Sequence, residues 1–459
     1  MRRVPTTAHN DGRSGGPGGS QYTCSAILVS RVMRAGDHDR SELDPGLSPA
    51  SRVADSCDVF LRAVLIAASV CTFLAADLPA GAVRPSRAVF ALTNSGAGGR
   101  LLTRRDPATL APIGPSAALD GSSQAAAFSP SGSLLAFVQW AGDRPSVRLL
   151  DLSRMRWRVP VPLGLTTGTV IVRWLDSRRV LVFAEQPDGL RALVLDAVKN
   201  RLSGAKRIAG HLTDRSQVAV GRTRAAVLIR AAQKIGPVRV AVVPPSGFPR
   251  IVTLRQIREG VSDRQIYRPS LVADPTLDRA YVVGGLRDPV ATIDLRTLAV
   301  SYRMPFASTV AGDVAGAERM TVWLGGGRFA VAGWDDGAPG SGSKLLGLRI
   351  VDTRSWRTRT LDPETDYFCV AGHAVVGHHL DGTLAVFGFD GARRITLAPP
   401  DAAAFPVPVA SNDRYLYLPD PGAGAVVADL VSGRLIGRLR VEGLNEILSP
   451  TYTLGAGCR

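Results

Sequence analysis

From residue 84 to the end of the chain one short pattern keeps returning. A strand-length apolar run ends in Asp and leads into a polar turn. The clearest copies are Ser146-Val-Arg-Leu-Leu-Asp-Leu152, Arg191-Ala-Leu-Val-Leu-Asp196, Val290-Ala-Thr-Ile-Asp-Leu295, Leu348-Arg-Ile-Val-Asp352 and Ala425-Val-Val-Ala-Asp-Leu430, with weaker copies ending at Asp106, Pro244 and Asp390. Successive markers lie 38 to 58 residues apart. A repeat of this length is one supersecondary unit that cannot bury its apolar face alone, so neighbouring copies must pack on one another.

Each unit reads as strands only. Arg279-Ala-Tyr-Val-Val-Gly284 and Leu134-Leu-Ala-Phe-Val138 have the β-branched and aromatic content of strands. The turns between them carry Ser-Pro-Ser-Gly (129–132), Asp-Pro-Thr-Leu-Asp (274–278), Leu-Asp-Gly-Thr (380–383) and Ser-Asn-Asp-Arg (411–414). Pro presets one turn dihedral, and Gly or Asn accepts a positive φ. The Asp closing the third strand is placed to accept backbone N–H groups of the following turn, a structural role.

Four strands per unit of about 40–50 residues make a propeller blade. The expected fold is therefore all-β, a β-propeller of four-stranded blades. Seven stretches supply a full set of strands, starting near residues 123, 169, 217, 270, 320, 369 and 404. Residues 88–114 supply about three more and lack a first strand, while the tail Leu448–Leu454 is a strand with no other place. Pairing these N- and C-terminal strands closes the ring and protects its edges. Spread over residues 83–459, eight blades take about 47 residues each and seven about 54, which favours eight, with seven as the alternative.

Parts of the repeat resemble known families. Phe128-Ser-Pro-Ser-Gly-Ser-Leu-Leu-Ala-Phe137 is similar to the WD40-like repeat of the TolB type. Asp274 to Val300, with Ala280-Tyr-Val-Val-Gly-Gly-Leu and Val290-Ala-Thr-Ile-Asp-Leu, resembles the YVTN repeat, and Ser411 to Val441 resembles it less closely; Gly284 stands where that motif has Asn. The resemblance implies a propeller and says little of function, because these repeats serve many.

The front of the chain differs. Residues 1–58 are rich in Gly, Ser, Arg and Asp without periodicity, the composition of a disordered or miscalled extension. Residues 59–82 have the layout of a signal peptide: Arg62, an uncharged apolar run over 63–76, then Ala80-Gly81-Ala82 as a small-x-small cleavage site. The apolar run is short for a membrane span of about 20 residues, yet an uncleaved anchor through 63–76 stays open. Residues 83–459 form the propeller domain, expected outside the cytoplasm, secreted or held in the cell envelope. Cys369 and Cys458 lie in it and can pair there as a disulfide, two separate thiols being the other reading.

The charge is informative by position. Net charge is +16, and residues 1–82 hold eight Arg and eight acidic groups, so all of the excess falls after them. A basic surface draws anionic polymers. Its Arg residues are dispersed, with no basic 5–8-mer, so no specific nucleic-acid binding is expected.

Catalytic constellations are sparse. His373-Ala-Val-Val-Gly-His378-His379 lacks a carboxylate at zinc-site spacing, so neither a metal nor any other cofactor is expected. Trp334-Asp335-Asp336-Gly337 puts two carboxylates in a loop, able in principle to bind calcium, to serve acid–base work or to meet a partner. The mouth of a propeller channel is its recurrent binding place, and Arg173, Arg268 and His373 are candidates there. The expected function is a non-catalytic, monomeric binding scaffold whose partner is a protein or an anionic envelope polymer. A lactonase-like or glycan-active propeller hydrolase, and a membrane-anchored sensor domain, are the alternatives.

Overall fold

The computed structural model describes residues 88–449 except 95–98, 120–122, 166–167, 214–216, 263–264, 286–288, 307–315, 338–341, 399–409 and 421–423. The extension 1–58, the signal or anchor segment 59–82, Cys458 and most of the tail 448–454 lie outside the described residues. Among the described residues no helix is long and apolar enough to cross a membrane.

The chain is an all-β propeller. Its strands follow one another as antiparallel meanders, each starting with an innermost strand and moving outward. Among the described residues six separate blades have this form. They begin with innermost strands Leu444–Leu448, Ser123–Phe128, Val170–Trp174, Ser270–Asp274, Thr365–Ala371 and Ala410–Ser411. Innermost strands of neighbouring units contact one another and surround the channel.

The expectation of eight separate blades, or of seven, is corrected. The strands between Val218 and Asp362 that do not belong to the Ser270 blade merge into one ten-stranded sheet. Its outer strand Arg250–Val261 carries a bulge opposite Pro237 and Val238, runs on, and pairs with the short strand Ile266–Arg268. That strand pairs parallel with the beginning of Gly316–Gly325, joining one meander to the next. Backbone N–H and C=O groups at a sheet end must find partners, and three residues supply them here.

Ring closure occurs as expected in kind but not in residues. Leu444–Leu448, rather than 448–454, takes the missing innermost place and pairs antiparallel with Val89–Asn94, Phe90 facing Leu448. The Tyr417 hydroxyl fastens the same junction by donating to the Pro107 carbonyl at 2.6 Å. Hydrophobic clusters fill the spaces between adjacent sheets. Val138, Leu149, Val172 and Val182 form one such layer, and Leu228, Val240, Val282 and Ile293 another. Each fully buried Leu, Val or Phe contributes roughly 1.5–3 kcal/mol, which makes these layers the main adhesive of the ring.

The Asp that ends a third strand has the turn role its position suggests. Oδ1 accepts the N–H groups two and three residues on at Asp106, Asp151, Asp196, Asp294, Asp352 and Asp429, all at 2.8 to 3.3 Å. The fourth residue on then adopts a positive φ, at Leu110, Met155, Asn200, Leu298, Trp356 and Gly433. Only one of the six is Gly, so the Asp cap and the pairing of the fourth strand hold a backbone conformation that costs a side-chain-bearing residue about 1–2 kcal/mol.

Candidate functional site

The charged residues singled out in the sequence meet structural partners. Arg268 lies on the bridging strand Ile266–Arg268 and pairs with Glu318 at 3.0 Å. Glu318 and Arg319 follow each other on the innermost strand Gly316–Gly325. The Arg319 side chain is fully buried; it donates to the Trp334 carbonyl at 2.7 Å and to the carboxylate of Asp335, itself fully buried. Asp335 and Asp336 are therefore not a loop pair of free carboxylates. They end the strand Arg328–Asp336, and Asp336 accepts a hydrogen bond from the Ser343 hydroxyl.

Arg173 sits on the innermost strand Val170–Trp174 and is almost wholly buried. It donates to the Val172 carbonyl at 2.9 Å. Burial lowers its pKa to about 10, which leaves it charged at neutral pH.

His373 lies in the turn between Thr365–Ala371 and Ala374–His379, so it does not share a strand face with His379. Its ring Nδ1 and its backbone N–H both meet Asp413 Oδ1, at 2.6 and 3.2 Å, which ties its blade to the next. Asp413 holds a φ of 74° in the turn after Ala410–Ser411.

Folding supplies what sequence spacing did not, a carboxylate beside a histidine. Asp362 Oδ2 contacts His379 Nε2 at 2.7 Å, and Glu364 approaches within 3.8 Å of Nδ1. One potential ligand atom from each of the three lies within 4.8 Å of the others. Both ring nitrogens are nevertheless engaged, since Nδ1 also meets the Thr383 hydroxyl at 2.9 Å. The group is a latch between strands of two different sheets; a metal would have to displace one of these bonds. Cys369 is fully buried in Thr365–Ala371 and disulfide-bonded.

The open space of the channel is elsewhere. A cavity of about 230 Å³ lies where the innermost strands finish. Its walls include Phe128, Trp174, Val220, Leu271 and Trp323, and among the described residues Arg222 is the one ionisable residue lining it. The indole of Trp174 is fixed by a bond from Nε1 to the Ala127 carbonyl at 2.8 Å. Trp323 stacks on Tyr281, ring centroids 5.8 Å apart and planes 8° off parallel. Arg222 is exposed. None of these residues was a sequence candidate. The available signal was an aromatic residue at or near the end of the first strand of three repeats, at Phe128, Trp174 and Trp323.

No family model matches the sequence, and no curated protein matches it. Solved structures do match in fold. The dihydro-heme d1 dehydrogenase NirN in complex with DHE is 16% identical with a TM-score of 0.51, over 82% of this chain and 77% of that one. Apo AztD from Citrobacter koseri is 14% identical with a TM-score of 0.47, over 81% and 98%. The β-propeller domain of the trilobed protease from Pyrococcus furiosus is 12% identical with a TM-score of 0.41, over 67% and 94%. The likeness to NirN, at 16% identity, shows a shared fold and carries no activity across.

Proposed function

We propose that this chain is an exported β-propeller that binds a partner at one end of its channel and does not turn a substrate over. The observation that supports this reading most is a division of labour. Arg268, Arg319, Asp335, His373 and His379 are engaged in pairs that hold strands and blades together, while the channel cavity is walled by apolar and aromatic side chains. Acid–base chemistry needs titratable groups facing the reacting atoms, and among the described residues the cavity presents one guanidinium.

The net charge of +16, carried after residue 82, favours an anionic partner, an envelope polymer or an acidic protein surface. The uncharged run 63–76 followed by Ala80-Gly81-Ala82 supports export. On that reading the repeats belong with YVTN and TolB-type units, and the partner of Cys369 is Cys458.

The test has two parts. The native protein is recovered from host fractions, its N-terminus sequenced and its cysteines mapped without reduction. A start near Val83 outside the cytoplasm, with a Cys369–Cys458 linked peptide, is expected; cytosolic protein that keeps residues 1–82 overturns export. The purified domain is then titrated with anionic envelope polymers and assayed on ester, lactone and glycoside substrates. Saturable binding without turnover is expected, and enzyme-like turnover overturns the binding reading.

A further inference from the structure

We infer that the cavity at the channel end accepts the ring of a small aromatic carboxylate, with Arg222 receiving the carboxylate; this rests on the binding role proposed above. Three features point to that ligand class.

The first is size. About 230 Å³ is room for roughly seven or eight waters at their share of liquid volume, the bulk of a two-ring aromatic. It is too small for a folded polymer chain and larger than a single solvent molecule needs.

The second is the wall. Trp174 and Trp323 are held in fixed planes by the Ala127 carbonyl and by Tyr281, and Phe128 joins them in the lining. Rigid flat walls suit a flat guest, because offset or edge-on ring contacts add attraction beyond simple area burial. Little side-chain entropy remains to be lost on binding.

The third is charge. Among the described residues Arg222 is the single ionisable group in the lining, and none of them brings a carboxylate to the cavity wall to receive a cation. Its turn is built to stay in place. Next door, Thr223 gives both its backbone N–H and its hydroxyl to Asp278, at 2.5 and 2.6 Å. On the other side Gly221 leaves no space for a Cβ, which would come within 2.9 Å of Asp278 Oδ1 and of Leu295. A guanidinium on a fixed turn above an apolar pocket matches a carboxylate with two parallel hydrogen bonds.

The experiment titrates the purified propeller with 2-naphthoate and with 2-naphthamide, which has the same ring without the charge. Quenching of tryptophan fluorescence and a shift of the melting temperature are the readouts, for the native protein, Arg222→Ala and Arg222→Lys. Arg222 is exposed, so both variants are expected to fold like the parent. The expected result is saturable binding of naphthoate, weakened about ten- to a hundredfold by Arg222→Ala and less by Arg222→Lys, as for a lost charge-assisted bond. Naphthamide should bind more weakly and equally to all three. Equal affinity for acid and amide, indifferent to Arg222, overturns the carboxylate class while leaving a ligand-binding cavity standing. Binding of neither probe overturns the inference; the wider binding role is then decided separately by the polymer titration.

Discussion

Asp278 reaches across a blade boundary and holds Thr223 by two bonds, from its backbone N–H at 2.5 Å and from its hydroxyl at 2.6 Å. The Arg296 guanidinium adds a third contact at 3.1 Å. Asp278 is 1% exposed and sits at a φ of 50°. Burial pushes its pKa up, but the bonds from Thr223 and Arg296 outweigh it and the net direction is down. Asp278→Ala removes three partners at once and is expected to destabilise the propeller by about 3 kcal/mol. It should also weaken naphthoate binding, because the turn presenting Arg222 loses its anchor. Asp278→Asn keeps a residue suited to positive φ and should do less on both counts. Urea denaturation and the same fluorescence titration check these outcomes.

The Asp-capped turns give the molecule a common sensitivity to acid. Asp106, Asp294, Asp352 and Asp429 are held below the usual carboxylate range, first of all by the N–H groups of Thr109, Thr297, Ser355 and Val431. Asp196, bonded first to Arg178 and then to the turn N–H of Lys199, lies at about 2. A carboxylate with a lowered folded-state pKa adds stability above its unfolded value near 4 and loses it as pH falls through the folded value. The melting temperature should therefore drop between about pH 4 and pH 2. Asn at position 294 still offers an acceptor oxygen but does not titrate, so Asp294→Asn should flatten part of that decline. An unchanged pH profile in this variant would argue against the capping role.

Much of this was legible in the sequence. Strand sets were expected to begin near 123, 169, 217 and 270, and innermost strands begin at Ser123, Val170, Val218 and Ser270. Alternation and turn residues are local signals, so they survive in one sequence. The count of separate blades was not legible, because it depends on whether Ile266–Arg268 hydrogen-bonds to Gly316–Glu318, some 50 residues on. No periodicity encodes that pairing. The site was legible in part. Arg268 and His373 were found as polar residues near the channel, but their partners Glu318 and Asp413 come from other strand sets, and the meeting of those pairs is a tertiary fact. The cavity escaped notice because Trp174 and Trp323 read as ordinary core residues until the innermost strands converge.

The merged sheet offers a direct test at Gly260. This residue pairs with Ile235 on one side and Tyr267 on the other. Its φ is 131°, and a Cβ there would lie 1.9 Å from the Lys234 carbonyl oxygen. The obstacle is backbone, which a rotamer change cannot relieve. Gly260→Ala is expected to destabilise by about 3 kcal/mol or more, and hydrogen exchange should rise first in Ile266–Arg268 and its partners. A variant as stable as the parent would mean that the bridging strand contributes little to the ring.

His378 makes stability depend on pH with a sign opposite to that of a salt-bridged histidine. It is fully buried beside Cys369, whose sulfur lies 3.7 Å from Nε2, and Tyr367 meets it edge-on. Burial, with a smaller contribution from His379, lowers its pKa to about 4. The folded state therefore favours the neutral ring, whereas the unfolded chain protonates it near pH 6.5. Stability from this group is complete above about pH 6.5 and declines as pH falls towards 4, by up to about 3 kcal/mol. His378→Gln fills similar space without titrating and should remove the slope in that window while leaving the acid decline below pH 4. Urea denaturation midpoints at pH 7.5, 6.0, 5.0 and 4.5 distinguish the outcomes. A parent protein equally stable from 7.5 to 4.5 would show that His378 takes up its proton inside the fold without penalty.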